Sequence, residues 1–404
     1  MSSTPVSNRK SLPAAAAGEH RLPTIRDEAI LRMFSFAFYL TMALTVSFFP
    51  LYFNYKGYSK IQIGALYSIG PLVGIFANLF WGLLSDKYQT IKKWLIVMLA
   101  GQLIVMLLLI NIDTLALLYT LMTFFYFFQT PINPLNDSLI MLTIKDSRKS
   151  YASFRVWGSL GFAFSALVFG MLLKQIGIQY TMTLTMGTIT LSLVLAALLR
   201  DRTGSSSGKI QFAGFGQVIG SRRFLWFLVM IFILSIAHRM NDGFLALYLR
   251  ELGASDSIVG WAWTASALSE IPVFFFLSKH GHKYKELPLL MIAGLVYTVR
   301  FTLVSFVTQP EWIIPLQLMH SFSFGIFLFT ALRYMMQLIP DRFRATGQAI
   351  YAVVWSCMAG LASGIIGGWI FDAWGPHVMY RVAACCALIA SVCFFLTYFR
   401  SRDQ

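Results

Sequence analysis

A short run of polar side chains lies inside a stretch, residues 224–249, that is otherwise almost entirely apolar. Its centre contains His238, Arg239, Asn241 and Asp242. On a helix, residues three and four positions apart share a face, so an imidazole, a guanidinium and a carboxylate lie side by side. Such a face can exchange protons or bind a polar solute.

Other apolar stretches also contain ionisable side chains. These are Asp137, Arg155, Glu270, Arg300 and His320. Inserting an ionisable side chain at the centre of a bilayer costs at least ~2.5 to 3.5 kcal/mol of free energy. Each one is therefore expected to have a charged partner, to face a water-filled cavity or to have a function. With Asp242 and Arg239 included, three deep acids balance three deep arginines, which predicts internal pairing.

The composition is that of a membrane protein crossed by many helices. Hydrophobic residues make up 57% of the chain, charged residues only 12%, and the mean hydropathy is +0.67, whereas soluble domains are about 25% charged. One helical crossing needs about 20 apolar residues. The sequence predicts twelve spans, at residues 30–54, 61–84, 94–111, 115–143, 153–173, 180–199, 223–249, 257–279, 288–307, 312–338, 346–371 and 377–399.

The net charge of +15 is a signal of orientation rather than of nucleic-acid binding. Of the 32 Lys and Arg residues, 22 lie in the two tails and in the loops on the side of the N-terminus, four lie on the opposite side and six lie within spans. Cytoplasmic loops of membrane proteins are enriched in Lys and Arg. We therefore expect both termini in the cytoplasm, in a plasma (inner) membrane protein that contacts the lipid bilayer and no nucleic acid.

Nothing in the sequence predicts a metal, a cofactor or a disulfide. The cysteines, at 357, 385, 386 and 393, all fall in the last two spans without a C-x-x-C pair. The H-G-H run at 280–282 has no third ligand nearby and is expected to be solvated. We expect no cofactor.

The longest connection between spans divides them six and six, and its Ser/Gly-rich composition is typical of a linker. The predicted organisation is a tail at 1–28, a first bundle at 29–200, a linker at 201–222, a second bundle at 223–399 and a tail at 400–404.

The two bundles share a local pattern. Shifting the chain by 196 residues aligns segment 51–64 with segment 247–260, and five of fourteen residues match. Parallel repeats of this kind place a substrate site between the halves, near the middle of the membrane. The predicted fold is all-α, with twelve transmembrane helices in two six-helix pseudo-repeats.

Depth along the spans predicts which charges meet. Asp137 and Arg155 reach similar depth on neighbouring spans 4 and 5 and are expected to form an ion pair, the alternative being that Arg155 reaches for the headgroups. Glu270 and Arg300, on spans 8 and 9, also reach similar depth, and His320 is expected to point into the bundle.

Burial in apolar surroundings favours the protonated form of a carboxyl group unless a cation holds it ionised. Glu270 and Asp242 are therefore candidate proton carriers, whose protonation would release Arg300 or Arg239 and bias one half against the other. The alternative is a purely structural network of ion pairs.

Four short motifs carry a resemblance to a known family. They are FFP at 48–50, GLLSDK at 82–87, PLND at 134–137 and FRVWGS at 154–159. Together they resemble the major facilitator superfamily, in the branch of lactose permease and 3-phenylpropionate permease. This resemblance implies the major facilitator fold and a conformational latch at Gly82, Asp86 and Lys87.

The resemblance also implies functional roles. In the family an acid on helix 4 and an arginine on helix 5 grip substrate, and these positions correspond to Asp137 and Arg155. The coupling residues on helices 8, 9 and 10 correspond to Glu270, Arg300 and His320.

Three positions depart from the lactose permease. Its sugar-stacking Trp falls at Phe162, its proton-carrying acid at Ser323, and its helix 7 acids near His238 and Asn241. Lactose itself is therefore not the expected substrate.

The sequence thus predicts a proton-coupled symporter, working by alternating access, for a small organic solute, with a sugar or oligosaccharide as the first candidate. The substrate site is predicted at Asp137, Arg155, Phe162, His238, Asn241 and Glu270. The coupling site is predicted at Glu270, Arg300, His320, Asp242 and Arg239.

Several alternatives stay open. They are uptake of a nucleoside or an aromatic carboxylate such as phenylpropionate, efflux of drugs or metabolites, and a non-transporting sensor or scaffold. An aromatic carboxylate would be favoured if Arg333 faced the cavity. We expect a monomer without enzymatic activity.

Overall fold

The computed structural model describes residues 24–110, 112, 114–144, 151–201, 221–339 and 344–402. Within these ranges the regular structure is helical, without strands. Eleven described segments are long and apolar enough to cross a membrane, and the last of them, Ile350–Arg400, has 51 residues. This segment breaks at Gly375 (φ 81°, ψ 170°), which precedes Pro376, so it forms two spans. The predicted all-α fold with twelve spans is confirmed.

The spans have these bounds: span 1, Ile25–Ser47, extended by Phe49–Tyr55; span 2, Lys60–Tyr88; span 3, Lys92–Leu109; span 4, Leu115–Gln129 and Ile132–Ile144; span 5, Ala152–Ile176; span 6, Thr181–Leu198; span 7, Arg222–Glu251; span 8, Asp256–His280; span 9, Glu286–Val304; span 10, Ile313–Leu318, the π-helix Ser321–Gly325 and Ile326–Leu338; span 11, Arg344–Ala352, the π-helix Val353–Met358 and 359–374; span 12, 376–402.

Successive spans run in opposite directions, so Thr24 and Arg402 lie at the same end of the bundle, which we call the terminal end. The other end is the distal end. The predicted tail at 1–28 is described only from Thr24, the predicted linker at 201–222 only at its two edges, and the tail at 400–404 only to Arg402.

The repeated segment has the same local structure in both halves. Gly57 and Gly253 adopt left-handed backbone conformations, with φ of 89° and 82°, directly after a helix ends. Ser59 and Ser255 are then the N-cap residues of spans 2 and 8. Glycine tolerates the left-handed region and serine is a preferred N-cap, so the matched residues end one span and begin the next.

The most extensive contacts between the halves are those of span 2 with span 11 and of span 5 with span 8. A Cβ atom at Gly64 would overlap the carbonyl oxygen of Gly364, and one at Gly260 would overlap that of Ala166. Small residues of this kind let membrane helices approach closely. Gly64 and Gly260 are the last matched residues of the repeat, so both crossings depend on the same position of the repeated segment.

Polar contacts close the distal end. The Asp372 carboxylate, in the second half, accepts hydrogen bonds from the N–H groups of Lys60 at 3.3 Å and Ile61 at 2.9 Å, which begin span 2. Lys60 Nζ also lies 3.3 Å from Glu251 Oε1. A carboxylate at a helix N-terminus accepts from N–H groups that have no partner within the helix, and its negative charge is stabilised by the positive end of the helix dipole. This cap therefore ties one half to the other.

Candidate functional site

A chain of hydrogen bonds joins the predicted coupling residues of the second half. His320 Nε2 lies 2.9 Å from Glu270 Oε1, and Arg300 Nη1 lies 3.0 Å from His320 Nδ1. Arg300 also donates to the side-chain oxygen of Gln317, which accepts from Ser266 at 2.8 Å. We call Glu270, His320, Arg300 and Gln317 the relay. Arg300 and Gln317 are fully buried, whereas the Glu270 side chain is 20% accessible.

The direction of these bonds fixes the tautomer of His320. Arginine can only donate, so His320 Nδ1 must accept and carries no hydrogen. The proton of the neutral imidazole then resides on Nε2 and is donated to the Glu270 carboxylate. Protonating Nδ1 would break the contact with Arg300. The expected direct pairing of Glu270 with Arg300 is wrong, because His320 lies between them.

The polar face of span 7 comes together as predicted. His238 Nε2 lies 3.2 Å from Asp242 Oδ2, and its Nδ1 lies 3.0 Å from the Tyr297 hydroxyl. Arg239 Nη1 lies 3.9 Å from the same Asp242 oxygen, and Arg239 Nη2 donates to Ser356 Oγ at 3.2 Å. Because the Asp242 side chain stays 26% accessible, the imidazole–carboxylate pair has one buried and one open member.

A ladder of stacked rings connects the relay to the span 7 pair. Centroid distances along it are 5.1, 4.6, 5.1 and 4.9 Å, and the rings are, in order, His320, Phe324, His238, Trp355 and Phe327. Phe324 and Trp355 each lie in a π-helix, of span 10 and span 11. Single π-turns within α-helices are frequent at functional sites. The ladder makes the two imidazoles parts of one packed unit.

The charges of the first half are arranged differently. The Asp137 carboxylate receives a hydrogen bond from the Tyr151 hydroxyl. The Arg155 guanidinium carbon lies 4.7 Å from the ring centroid of Tyr39, whose hydroxyl donates to Asn133 Oδ1 at 2.9 Å. The expected direct ion pair between Asp137 and Arg155, both within the described chain, is not formed, because each group takes an aromatic partner instead.

The acid and the base of the first half keep hydrogen-bonding capacity. Asp137 Oδ1 and Arg155 Nη1 are buried atoms without a partner among the described residues. The Arg155 guanidinium has a Coulombic interaction with the Glu270 carboxylate of the other half. Phe162 and Trp263 meet across the same interface, with ring centroids 6.1 Å apart. Predicted residues of both halves therefore face one another.

Asn241 is the predicted substrate residue whose placement differs most from the expectation. Its side chain is 1% exposed and accepts a hydrogen bond from the Tyr380 hydroxyl of span 12 at 3.3 Å. It packs within the second half and presents no free surface to a solute in this conformation. Ser323, which stands at the position of the lactose permease's proton-carrying acid, accepts a hydrogen bond from Arg300 at 3.4 Å.

The residues of the predicted latch lie at the terminal end of span 2. Asp86 and Lys87 are exposed, and a Cβ atom at Gly82 would meet open space. A different acid organises this end, because Asp201 accepts from the N–H of Lys92 at 3.1 Å and so caps span 3. The role of the latch stays a prediction.

Arg333 does not face the interface between the halves. Its Nη2 lies 2.6 Å from Glu286 Oε1, and its Nη1 donates to the Gly281 carbonyl at 2.5 Å. It ties span 10 to the turn before span 9. The guanidinium of Arg381 lies 5.5 Å from the ring centroid of Phe306.

Several residues of the site escaped the sequence analysis. Gln317 had a detectable signal, since it precedes His320 by three positions on the same helical face. The same spacing marks Tyr151 and Ser266, four positions before Arg155 and Glu270, and Tyr297, three positions before Arg300. Trp263 and Trp355 had no such signal.

The chain is similar in sequence to several membrane transporters. It is 28% identical over 357 residues to the uncharacterized transporter YwbF of Bacillus subtilis, covering 87% of this chain and 89% of that one. It is 26% identical over 348 residues to the maltose permease of Geobacillus stearothermophilus, covering 85% and 87%. It is 27% identical over 223 residues to the probable 3-phenylpropionic acid transporter of Escherichia coli, covering 54% and 58%.

Family and structure comparisons agree with this picture. The model of the MFS_1 like family matches residues 29–382. The crystal structure of the nucleoside transporter NupG superposes with a TM-score of 0.80 at 13% sequence identity, covering 93% of this chain and 99% of that one. At this identity the likeness shows the fold alone, and it is the fold that the motifs predicted.

Proposed function

The chain belongs to the MFS_1-like family of major facilitator transporters, in the branch resembling lactose and phenylpropionate permeases, and from this premise we propose that it is a proton-coupled symporter for a small organic solute. It moves the solute by alternating access, with the site opening in turn at the distal and the terminal end. The distal contacts, through Asp372 and the glycine crossings, hold the first of these openings shut in the present conformation.

The observation that carries the proposal is the environment of Glu270. Its carboxylate lies inside a span, is partly accessible, receives a hydrogen bond from His320 and interacts electrostatically with Arg155 of the other half. While ionised, Glu270 attracts the first half. When it takes a proton, that attraction is lost, so protonation biases the two halves toward a different arrangement.

The first half supplies the solute-binding groups. Asp137 Oδ1 and Arg155 Nη1 are free to bond, and Asn133 and Tyr151 lie beside them. A carboxylate acceptor next to a guanidinium donor suits a neutral ligand with many hydroxyl groups. A sugar or an oligosaccharide is therefore the first candidate, which the similarity to a maltose permease supports.

An aromatic carboxylate is the second candidate. Arg155 can pair with its carboxylate, and Phe162 and Trp263 place two rings at the same interface. The indole N–H of Trp263 is buried and has no hydrogen-bond partner among the described residues. The similarity to a probable 3-phenylpropionic acid transporter supports this candidate. Nucleosides, drug efflux and a non-transporting role remain alternatives that the following experiment separates.

Purified protein is first screened by thermal shift against sugars, nucleosides and aromatic acids, because a bound solute stabilises the folded state. Solutes that stabilise it are then offered to proteoliposomes with and without an imposed pH gradient. We expect accumulation only with the gradient, in the direction of the protons. Accumulation that ignores the gradient would disprove coupling, and export with inward protons would indicate efflux.

Topology forms part of the proposal. The terminal end, where most basic loops lie, is cytoplasmic, and the membrane is the plasma (inner) membrane. A reporter that is active only in the cytoplasm, fused after Gln404, should be active. The same reporter inserted after Gln309, at the distal end, should be inactive.

A further inference from the structure

A lipid-facing groove runs along the second half, outside the proposed solute site. It has a volume of about 550 Å³ and lies between spans 8, 9 and 10. It runs from mid-span toward the terminal end. Its walls are almost wholly apolar and include Pro272, Val273, Phe276, Leu289, Phe322 and Ile326.

The two serine hydroxyls of the groove are already satisfied. Ser269, next to Glu270, donates to the Ser266 carbonyl at 2.8 Å, and Ser321, next to His320, donates to the Leu318 carbonyl at 3.1 Å. Neither hydroxyl is left as a donor for a polar ligand. The groove therefore suits a flexible apolar chain, whose burial contributes about 0.8 kcal/mol per CH₂ group.

The end of the groove at the membrane surface is basic. Tyr284 lines it, Lys283 and Lys285 flank Tyr284 in the chain, and Lys279 follows the lining residue Leu277 by two positions. The three lysines are exposed and form no ion pair within the described chain. The nearby acid, Glu286, is already bonded to Arg333 and to Gln337, at 2.6 and 2.9 Å. Three positive charges thus remain at the mouth.

We propose that this groove binds one anionic phospholipid, with an acyl chain between spans 8 and 10 and the headgroup phosphate at Lys279, Lys283 and Lys285. Apolar walls below a basic rim match the two parts of such a lipid. The terminal end, proposed to be cytoplasmic, faces the leaflet in which anionic lipids attract basic segments. The site is separate from solute binding and does not depend on the transported solute.

The test measures binding of phosphatidylglycerol to delipidated protein in detergent by native mass spectrometry, with phosphatidylcholine of the same acyl chains as the comparison. Each basic residue near a charged membrane surface contributes about 1 kcal/mol, so the combined Lys279→Gln, Lys283→Gln and Lys285→Gln variant should bind phosphatidylglycerol on the order of 100-fold more weakly. The matched control replaces Lys92, Lys93 and Arg222, at the same end of the bundle, by Gln and should bind as the wild type does.

A second variant tests the acyl part. Val273→Trp fills the groove and should weaken binding of phosphatidylglycerol although all lysines remain. If this variant does not fold, the surface lysine variant decides alone. Equal binding of both lipids, equal losses in the lysine and control variants, or full competition by free glycerol phosphate would each overturn the proposal. The last result would indicate an anion site that needs no acyl chain.

Discussion

The two halves hold their deep acids in different ways. In the second half each acid meets a histidine, Glu270 with His320 at 2.9 Å and Asp242 with His238 at 3.2 Å. In the first half, Asp137 accepts from the hydroxyl of Tyr151 and keeps one buried oxygen that has no partner within the described part of the chain.

This difference assigns a different chemistry to each half. Each imidazole of the second half contacts an acid through Nε2 and another polar side chain through Nδ1, so a proton added to the acid changes a connected network of hydrogen bonds. Acid–histidine pairs therefore suit the half that moves protons. An acid with a spare oxygen, close to an arginine with a spare N–H, suits the half that grips the solute. The repeat thus gives both halves one framework with separate tasks.

The largest expected effect is on proton-driven accumulation of the solute, which the comparison assigns to the second half. Glu270→Gln keeps the shape of the side chain but cannot take up a proton, so the gradient-driven accumulation of an accepted solute should fall to the equilibrium level. Exchange of solute without net accumulation should continue. Glu311→Gln, an exposed acid at the distal end, is the control and should accumulate solute normally. Continued accumulation by Glu270→Gln would mean that the relay does not couple solute transport to protons.

The next effect is on stability. Arg300→Leu deletes a fully buried guanidinium, leaves His320 Nδ1 without its donor and leaves the Gln317 oxygen with Ser266 alone. Breaking a buried charged network costs about 3 to 5 kcal/mol, so the free energy of unfolding in detergent should fall by this amount. Arg381→Leu, an exposed arginine, should change it by less than about 0.5 kcal/mol. Equal changes in the two variants would mean that the relay does not stabilise the second half.

The third effect is on affinity and belongs to the first half. Arg155→Lys keeps the charge but loses the planar guanidinium fork. A charge-assisted hydrogen bond contributes about 1.5 to 3 kcal/mol, so the Kd for an accepted solute should rise at least tenfold, measured by titration calorimetry. Arg32→Lys, at the Phe154 ring of the same half, should leave the Kd unchanged. Unchanged affinity in Arg155→Lys would make this arginine structural.

The smallest effect concerns the contact between the halves. Asp372→Asn weakens the cap on span 2, and loss of an N-cap typically costs about 1 kcal/mol. Opening at the distal end should become about fivefold more frequent, seen as faster maleimide labelling of a Ser68→Cys variant in a background free of native cysteines. Asp201→Asn removes a cap within the first half and should not change this rate. Equal rates in both variants would mean that the Asp372 cap does not hold the distal end.

The sequence predicted those features that depend on local periodicity. Hydropathy located twelve spans, and three- and four-residue spacing placed His238, Arg239 and Asp242 on one face. The matched glycines and serines of the repeat end and begin the same helices in both halves.

Features that depend on direction around a helix axis were not predicted. Depth along spans 4 and 5 predicted that Asp137 and Arg155 lie at the same level. Depth does not determine where a side chain points, and in the structure Asp137 contacts Tyr151 whereas Arg155 contacts Tyr39. The π-helices of spans 10 and 11, which place Phe324 and Trp355 in the ring ladder, have no pattern in the sequence. The Asp372 cap joins segments more than 300 residues apart.

The central claim is that Glu270 of the second half interacts with Arg155 of the first half, so that solute binding at Arg155 depends on the proton at Glu270. A double-mutant cycle on solute affinity, with Arg155→Lys, Glu270→Gln and the combined variant, tests it most directly. Residues that contact a common partner show interaction energies of about 0.5 to 3 kcal/mol, and we predict a value in that range. Strict additivity of the two losses would place the two residues at separate sites and contradict the account.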